Sequence, residues 1–279
     1  MNTNAIKLSK LIWSLTPFLP VRKLYLALFM KLVRGKKVTR TVEGMNFELD
    51  LSENIDVCLL LEQFERDVVR AIEDRCKSGF RVLDIGANVG AHTLRIARKV
   101  GHRGVVYAFE PTSYAFDKLK RNISLNSTYP IHAVRLALSN CNESNRQINF
   151  RSSWQTDGTS ISGSSTVDFI RLDDWCERQS VKHVDMIKID VDGNEFPVFD
   201  GGRNLLGSCR PLIIMEVGAW HFGDPGTNVL ILLSDLGYRF LDAKTLIEYS
   251  MDQIQRVLES FDTATCESIN VIAINSTGK

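Results

Sequence analysis

Two stretches limit the folds open to this chain more than any others. They are Arg81-Val82-Leu83-Asp84-Ile85-Gly86-Ala87-Asn88-Val89-Gly90 and Val105-Val106-Tyr107-Ala108-Phe109-Glu110-Pro111. The first reads as an apolar strand ending in Asp84, then a glycine-punctuated turn that opens a helix. The second is another apolar strand, ending in Glu110. In a doubly wound sheet built this way, ligands sit beyond the carboxyl ends of the strands. The alternation continues along the chain: strand 82–87, helix 91–100, strand 105–110, helix 113–126, strand 132–138, strand 184–190, helix 195–206 and strand 211–217. A helix near 227–236 and strands near 238–242 and 269–274 close the series. Such βαβ alternation gives right-handed crossovers, so the expected fold is α/β, Rossmann-like, with a mostly parallel sheet. One polar insertion, Asn140 to Thr166, breaks the rhythm. It carries a short strand at Gln147–Arg151 and a flexible Asp157-Gly158-Thr159-Ser160, before a strand at 167–172 and a helix at 173–179.

Ahead of the sheet, Val38 to Leu51 reads as a hairpin turning at Glu43-Gly44, with Phe47, Leu49 and Leu51 on one face. Residues 55–76 carry apolar side chains at helical spacing and read as one helix. Residues 1–54 are therefore expected to form an N-terminal extension and 55–279 the main domain. Between residues 5 and 37 lysines and arginines interleave with Leu8, Leu11, Trp13, Leu15, Phe18 and a second apolar run, and no acidic residue occurs before Glu43. The runs are too short to span a bilayer, and prolines interrupt what would be a signal peptide. The segment either packs on the domain or on a second copy in a homodimer, or rests as a basic amphipathic surface on an anionic membrane.

The bulk properties are those of an ordinary globular chain: 279 residues, 44% hydrophobic, 24% charged and a formal net charge of +1. That charge gives no argument for nucleic acid as a partner. The six cysteines form no C-x-x-C pair, which points to small core residues in a reducing, cytoplasmic setting and not to a zinc site. The N-X-S/T triplets at Asn122, Asn126, Asn142 and Asn275 then read as chance matches.

The turn narrows the ligand. A dinucleotide site normally reads G-x-G-x-x-G, leaving bare backbone against a pyrophosphate. Here Asn88 stands between Gly86 and Gly90, the third glycine is missing, and Asp84 places a carboxylate where phosphate would be repelled. A positively charged, phosphate-free ligand suits it better, and S-adenosylmethionine has an ammonium and a sulfonium. Glu110 can accept hydrogen bonds from two ribose hydroxyls.

A second informative run is Met186-Ile187-Lys188-Ile189-Asp190-Val191-Asp192-Gly193-Asn194-Glu195. Period-two alternation puts Lys188 and Asp190 on one sheet face and Ile187 and Ile189 on the other. A lysine inside a central strand needs a partner, expected among Asp84, Asp190 and Glu216. The chain resembles the FkbM-type S-adenosylmethionine-dependent methyltransferases in Val82 to Gly90, Ala108 to Pro111, Ala137-Leu138-Ser139-Asn140, Lys188 to Glu195 and Pro211 to Val217, in the family's order. It departs at Asp192, where the family more often has Glu. The resemblance implies O-methylation of a hydroxyl, often on a sugar or polyketide. Here the acceptor is expected to be a sugar of a glycan or glycolipid, with the enzyme in the cytoplasm or at the inner membrane face.

Both readings assign the donor to Asp84, Gly86, Ala87, Asn88, Gly90 and Glu110, with Pro111, Leu138, Ser139 and Asn140 flanking the adenine and Asp190 nearby. An alcohol attacks better when a base removes its proton. Asp190 is the first candidate, paired with Lys188, ahead of Glu195, Glu216 and His221. Trp220 and Phe222 could stack on a sugar ring. The acidic set could instead hold a divalent cation, though nothing in its spacing demands a metal. The alternatives to a methyltransferase are an NAD-dependent oxidoreductase and a catalytically idle, membrane-associated protein on the same fold.

Overall fold

The computed structural model describes residues 28, 31, 33–155, 160–218, 221, 228–260 and 268–275. They form two compact units, one from the chain up to Glu65 with Asn149–Ser164, the other from Arg66–Ile148 with the chain from Ser165 on. Most of the basic segment 5–37 lies outside the described residues. Among the described residues, no helix is long and apolar enough to cross a membrane.

In the first unit, β1 (Lys37–Val42) and β2 (Met45–Asp50) pair antiparallel, closing at Val42 and Met45. Both turn residues have positive φ, 48° at Glu43 and 83° at Gly44, as a two-residue hairpin turn requires. Alternation buries Met45, Phe47, Leu49 and Leu51. Helix α1 (Asn54–Leu60) follows. The single helix expected over 55–76 is two, because the chain stops at Leu61 and resumes as α2 (Arg66–Arg75) in the second unit. Glu62 and Glu65 take positive φ, and the Gln63 N–H reaches back to the Cys58 carbonyl. Apolar residues keep helical spacing on both sides of this break, so the pattern alone does not reveal it.

The second unit is built on an eight-stranded sheet. Its strands are β3 (Arg81–Ile85), β4 (Val105–Phe109), β5 (Ile131–Val134), β9 (Met186–Ile189), β10 (Leu212–Gly218), β11 (Tyr238–Asp242), β12 (Glu248–Tyr249) and β13 (Ser268–Asn275), in the order β12-β11-β13-β10-β9-β3-β4-β5. From β10 to β5 all pairs are parallel, while β13 runs antiparallel between β10 and β11. Leu83, Ile85, Ile187, Ile189, Ile213 and Met215 point into one core with Trp175, Phe199 and Leu233. Their alternates Val82, Met186, Ile214 and Ile272 meet Val68 and Ile72 of α2 and Ile96 and Val100 of α3 (Ala91–Val100) on the other face. This two-sided burial explains why the strands read as continuous apolar runs.

Three expectations are revised. The strand expected over 132–138 is split: β5 stays in the main sheet, while β6 (Ala137–Ser139) joins a three-stranded sheet. The other members of that sheet are β7 (Glu143–Trp154) and β8 (Ser160–Arg171), so the polar insertion is largely a long hairpin. After α4 (Ser113–Ser124) and α5 (Leu172–Arg178), the helix expected over 195–206 is also split, into α6 (Glu195–Asp200) and α7 (Arg203–Cys209). The break is Gly201-Gly202, where a Cβ on Gly201 would sit 1.9 Å from the Ser139 carbonyl oxygen. Helix α8 (Val229–Asp235) is followed, past β12, by an unanticipated α9 (Met251–Glu259).

Candidate active site

The turn after β3 bends through left-handed backbone at Gly86 (φ 80°), Asn88 (φ 48°) and Gly90 (φ 90°). Only glycine fits the first position, because an added Cβ would lie 1.8 Å from the Asp190 carbonyl oxygen. At Gly90 it would meet Leu119 of α4 at 2.8 Å. Two sides anchor the turn. The N–H groups of Gly86 and Ala87 donate to the Phe109 carbonyl at 3.0 and 2.9 Å, and Asn122 Nδ2 of α4 donates to the Val89 carbonyl at 2.8 Å. Asn122 is 1% exposed. In the sequence it stood out only as a glycosylation triplet.

Asp84 is fully buried at the end of β3, where the Thr93 hydroxyl of α3 donates to its Oδ2. Its Oδ1 and the Oδ1 of Asn88 are buried with no hydrogen-bond partner among the described residues. Buried acceptors of this kind call for a donor from outside the protein, and an ammonium group is such a donor. The turn therefore fits S-adenosylmethionine. Glu110 does more than the sequence indicates. Its carboxylate accepts the Asn88 N–H at 3.0 Å, the Thr112 N–H at 2.9 Å and the Thr112 hydroxyl, so it also fastens the turn. Burial pushes its pKa up, against the pull of those hydrogen bonds and of the Lys188 charge. Thr93 and Thr112 were not singled out in the sequence; Thr93 stands in α3 beyond the turn, and Thr112 shortly after the end of β4. Pro111 follows Glu110, and its carbonyl accepts from Arg135. Of the residues expected to flank adenine, Leu138 is committed to the core and the Asn140 amide to Asp200 at 3.0 Å. Ser139 is 8% exposed.

The second half of the site lies at the ends of β9 and β10. Lys188, 5% exposed, stands beside Asp84 in the β3–β9 register, and its Nζ is 3.5 Å from Asp190 Oδ2. Asp190, Asp192 and Glu216 each offer a carboxylate oxygen within 4.8 Å of the others. The Ser268 hydroxyl of β13 donates to Glu216. Desolvation and the charges of Asp190 and Glu195 raise the Asp192 pKa. Such a group can take a proton, hold neighbouring hydroxyls or ligate a hard cation.

Glu195 and His221 do not belong to that open set. They are 1% and 4% exposed and bonded to each other, His221 Nε2 to Glu195 Oε2, at 2.9 Å. Expected as reserve bases, they are buried and bonded to one another. Trp220 and Phe222 lie outside the described residues.

The strand order, with its reversed strand near one edge, and the glycine turn define a Rossmann-like α/β fold. The methyltransferase FkbM domain matches residues 84–240, and the chain belongs to that family. It is therefore a methyltransferase, which sets aside the hydride-transfer alternative. It is 31% identical over 175 residues to the hexuronic acid methyltransferase AglP of Haloferax volcanii, covering 61% of this chain and 68% of that protein. It is 26% identical over 151 residues to the 2-O-methyltransferase NoeI of Sinorhizobium fredii, covering 46% of this chain and 60% of that one. Among solved structures, the methyltransferase FkbM from Methylobacillus flagellatus KT superposes with a TM-score of 0.44 at 12% identity, covering 91% of this chain and 59% of that one.

Proposed function

We propose that the protein transfers the methyl group of S-adenosylmethionine to a sugar hydroxyl in a glycan or glycolipid, with Asp190 receiving the hydroxyl proton. One observation carries the reading: the donor turn and the acidic crevice share a wall. Gly86 lies so close to the Asp190 carbonyl that no side chain fits between them, which puts the turn beside the carboxylates. The names of the two relatives, one acting on a hexuronic acid and one a 2-O-methyltransferase, support a sugar hydroxyl as the acceptor.

S-adenosylmethionine supplies a methyl group already activated on a sulfonium. The protein's part is to position the acceptor oxygen and exclude water. Asp84 Oδ1 and Asn88 Oδ1 would accept from the donor's ammonium, and Glu110 would give its remaining acceptor capacity to the ribose. Ser139 would meet the adenine edge. Lys188, buried and 3.5 Å away, orients the Asp190 carboxylate. Glu216 and Asp192 would hold hydroxyls next to the reacting one.

The test is transfer of radiolabelled methyl groups from S-adenosylmethionine to a panel of p-nitrophenyl hexosides and hexuronides. Asp190→Asn should lower turnover by about a hundredfold, the usual worth of a general base, with donor affinity held within a fewfold. Full turnover in that variant removes Asp190 from the reaction. EDTA should leave turnover unchanged, since Lys188 already supplies a positive charge at Asp190. Loss with EDTA and recovery with manganese would make Asp190, Asp192 and Glu216 metal ligands instead.

A further inference from the structure

We propose that Glu195 and His221 act as one positioning unit that sets the spacing between the carboxylates of the loop after β9 and that of Glu216 on β10. The inference rests on the acceptor-site reading above and assigns a task to two residues that the reaction itself does not use. A continuous chain of hydrogen bonds supports it. The Val191 N–H, between Asp190 and Asp192, donates to Glu195 Oε1 at 3.0 Å. Glu195 Oε2 meets His221 Nε2 at 2.9 Å, and the Gly218 N–H, two residues after Glu216, donates to His221 Nδ1 at 3.1 Å. The loop bearing Asp190 and Asp192 is thereby tied through two side chains to the end of the strand bearing Glu216. Ladder bonds cannot do this, because the pairing of β9 with β10 ends at Ile189 and Met215.

The chemistry of the pair fits the task. With Nδ1 accepting from Gly218, the imidazole carries its hydrogen on Nε2 and donates to a carboxylate, a short charge-assisted bond. Burial keeps water from competing for it, and the fixed ring gives the loop and the strand end one mutual distance. The Gly218 carbonyl is also near, 3.3 Å from Nδ1. A histidine with its hydrogen on Nδ1 would turn to that carbonyl and release the Gly218 N–H. Glu195→Gln breaks the bonded arrangement without changing side-chain shape. An amide oxygen that keeps the Val191 N–H turns the NH2 toward Nε2 and reverses the ring. An amide oxygen that keeps Nε2–H turns the NH2 against the Val191 N–H.

Glu195→Gln and His221→Gln are compared with wild type and Asp190→Asn on the full chain. The expected result is folded protein with donor affinity, read by calorimetry with S-adenosylhomocysteine, within about twofold of wild type. Turnover on the best p-nitrophenyl glycoside should fall roughly ten- to a hundredfold, since a misplacement near 1 Å can cost about that much. A second readout needs no acceptor: His221→Gln should speed hydrogen exchange at the Val191 amide, which lies on the other loop. Unchanged Val191 exchange overturns the inference, as does wild-type turnover in both variants while Asp190→Asn is inactive. If Asp190→Asn keeps full turnover, or wild type methylates no glycoside, the acceptor-site reading fails, and Val191 exchange still decides the coupling.

Discussion

Glu110 is a buried carboxylate that ties down the turn and, on the proposed reading, takes the donor's ribose; its titration follows from its burial. Desolvation raises its pKa above the usual value of 4.5, so it takes up a proton at a higher pH than an exposed glutamate would. Once protonated it loses acceptor capacity, and donor affinity should weaken as the pH drops from neutral, before ordinary carboxylates titrate. Folding responds with the opposite sign. A carboxyl whose pKa is raised on folding favours the folded state below its unfolded pKa, and that contribution is lost as pH rises through the folded value. Glu110→Gln should weaken S-adenosylmethionine binding roughly ten- to a hundredfold, from one or two charge-assisted bonds of about 1.5–3 kcal/mol each, and flatten the pH profile. Calorimetry between pH 5 and pH 7.5 checks both points; an unchanged slope in the variant removes Glu110 from the donor site. Gly86→Ala joins positive φ to a collision with the Asp190 carbonyl and should cost about 2–5 kcal/mol, read as a fall in Tm together with lost donor binding. Asp84, Gly86, Asn88 and Glu110 were legible in the sequence because each marks a strand end or a backbone need. Thr93, Thr112 and Asn122 were not. Their partners are a carboxylate or a carbonyl brought close only by the fold, and no spacing rule encodes that.

Among the elements, α4 acts as a brace for the donor turn. Asn122 donates to Val89, and Leu119 closes over Gly90. Asn122→Ala leaves a buried carbonyl without its donor and should cost about 1–3 kcal/mol, with donor affinity falling in parallel. Chemical denaturation and calorimetry on the same variant check the coupling; lost stability with unchanged affinity would make α4 a support for the core alone. The strands of the parallel sheet were legible because burial on both faces writes unbroken apolar runs. The breaks were harder to see. Leu136-Ala137-Leu138 carries an apolar run into a different sheet, and Gly201-Gly202 falls where the chain at Ser139 and the Leu172 side chain pass against it. The capping box of α9, formed by Ser250 and Gln253, was written plainly in the sequence, as was the Asn228 cap of α8.

For the molecule as a whole, the basic apolar segment before the hairpin leaves two outcomes for experiment. As a membrane-surface element it should bind anionic vesicles in a salt-sensitive way, each basic residue contributing about 1 kcal/mol, and removal of residues 1–36 should abolish binding in a folded remainder. As a packing element it should bind no vesicle, and the truncated protein should aggregate or change its oligomeric state. Vesicle sedimentation at low and high salt separates them. A lipid-linked acceptor follows from the first outcome and loses its main support with the second. The position of β13 bears on how the protein is made. This strand follows β10, β11 and β12 in chain order yet lies inside the sheet with Val271, Ile272 and Ala273 fully buried, and among the described residues it alone joins β11 to β10. While the ribosome is still adding residues up to about 267, the edge of β10 is open and β11 has no neighbour on the β10 side. The central parallel strands can assemble during synthesis, but the sheet cannot close until β13 clears the exit tunnel. Until then an apolar edge stands exposed to pairing with other chains, so the interval before β13 emerges is one in which the nascent chain needs protection.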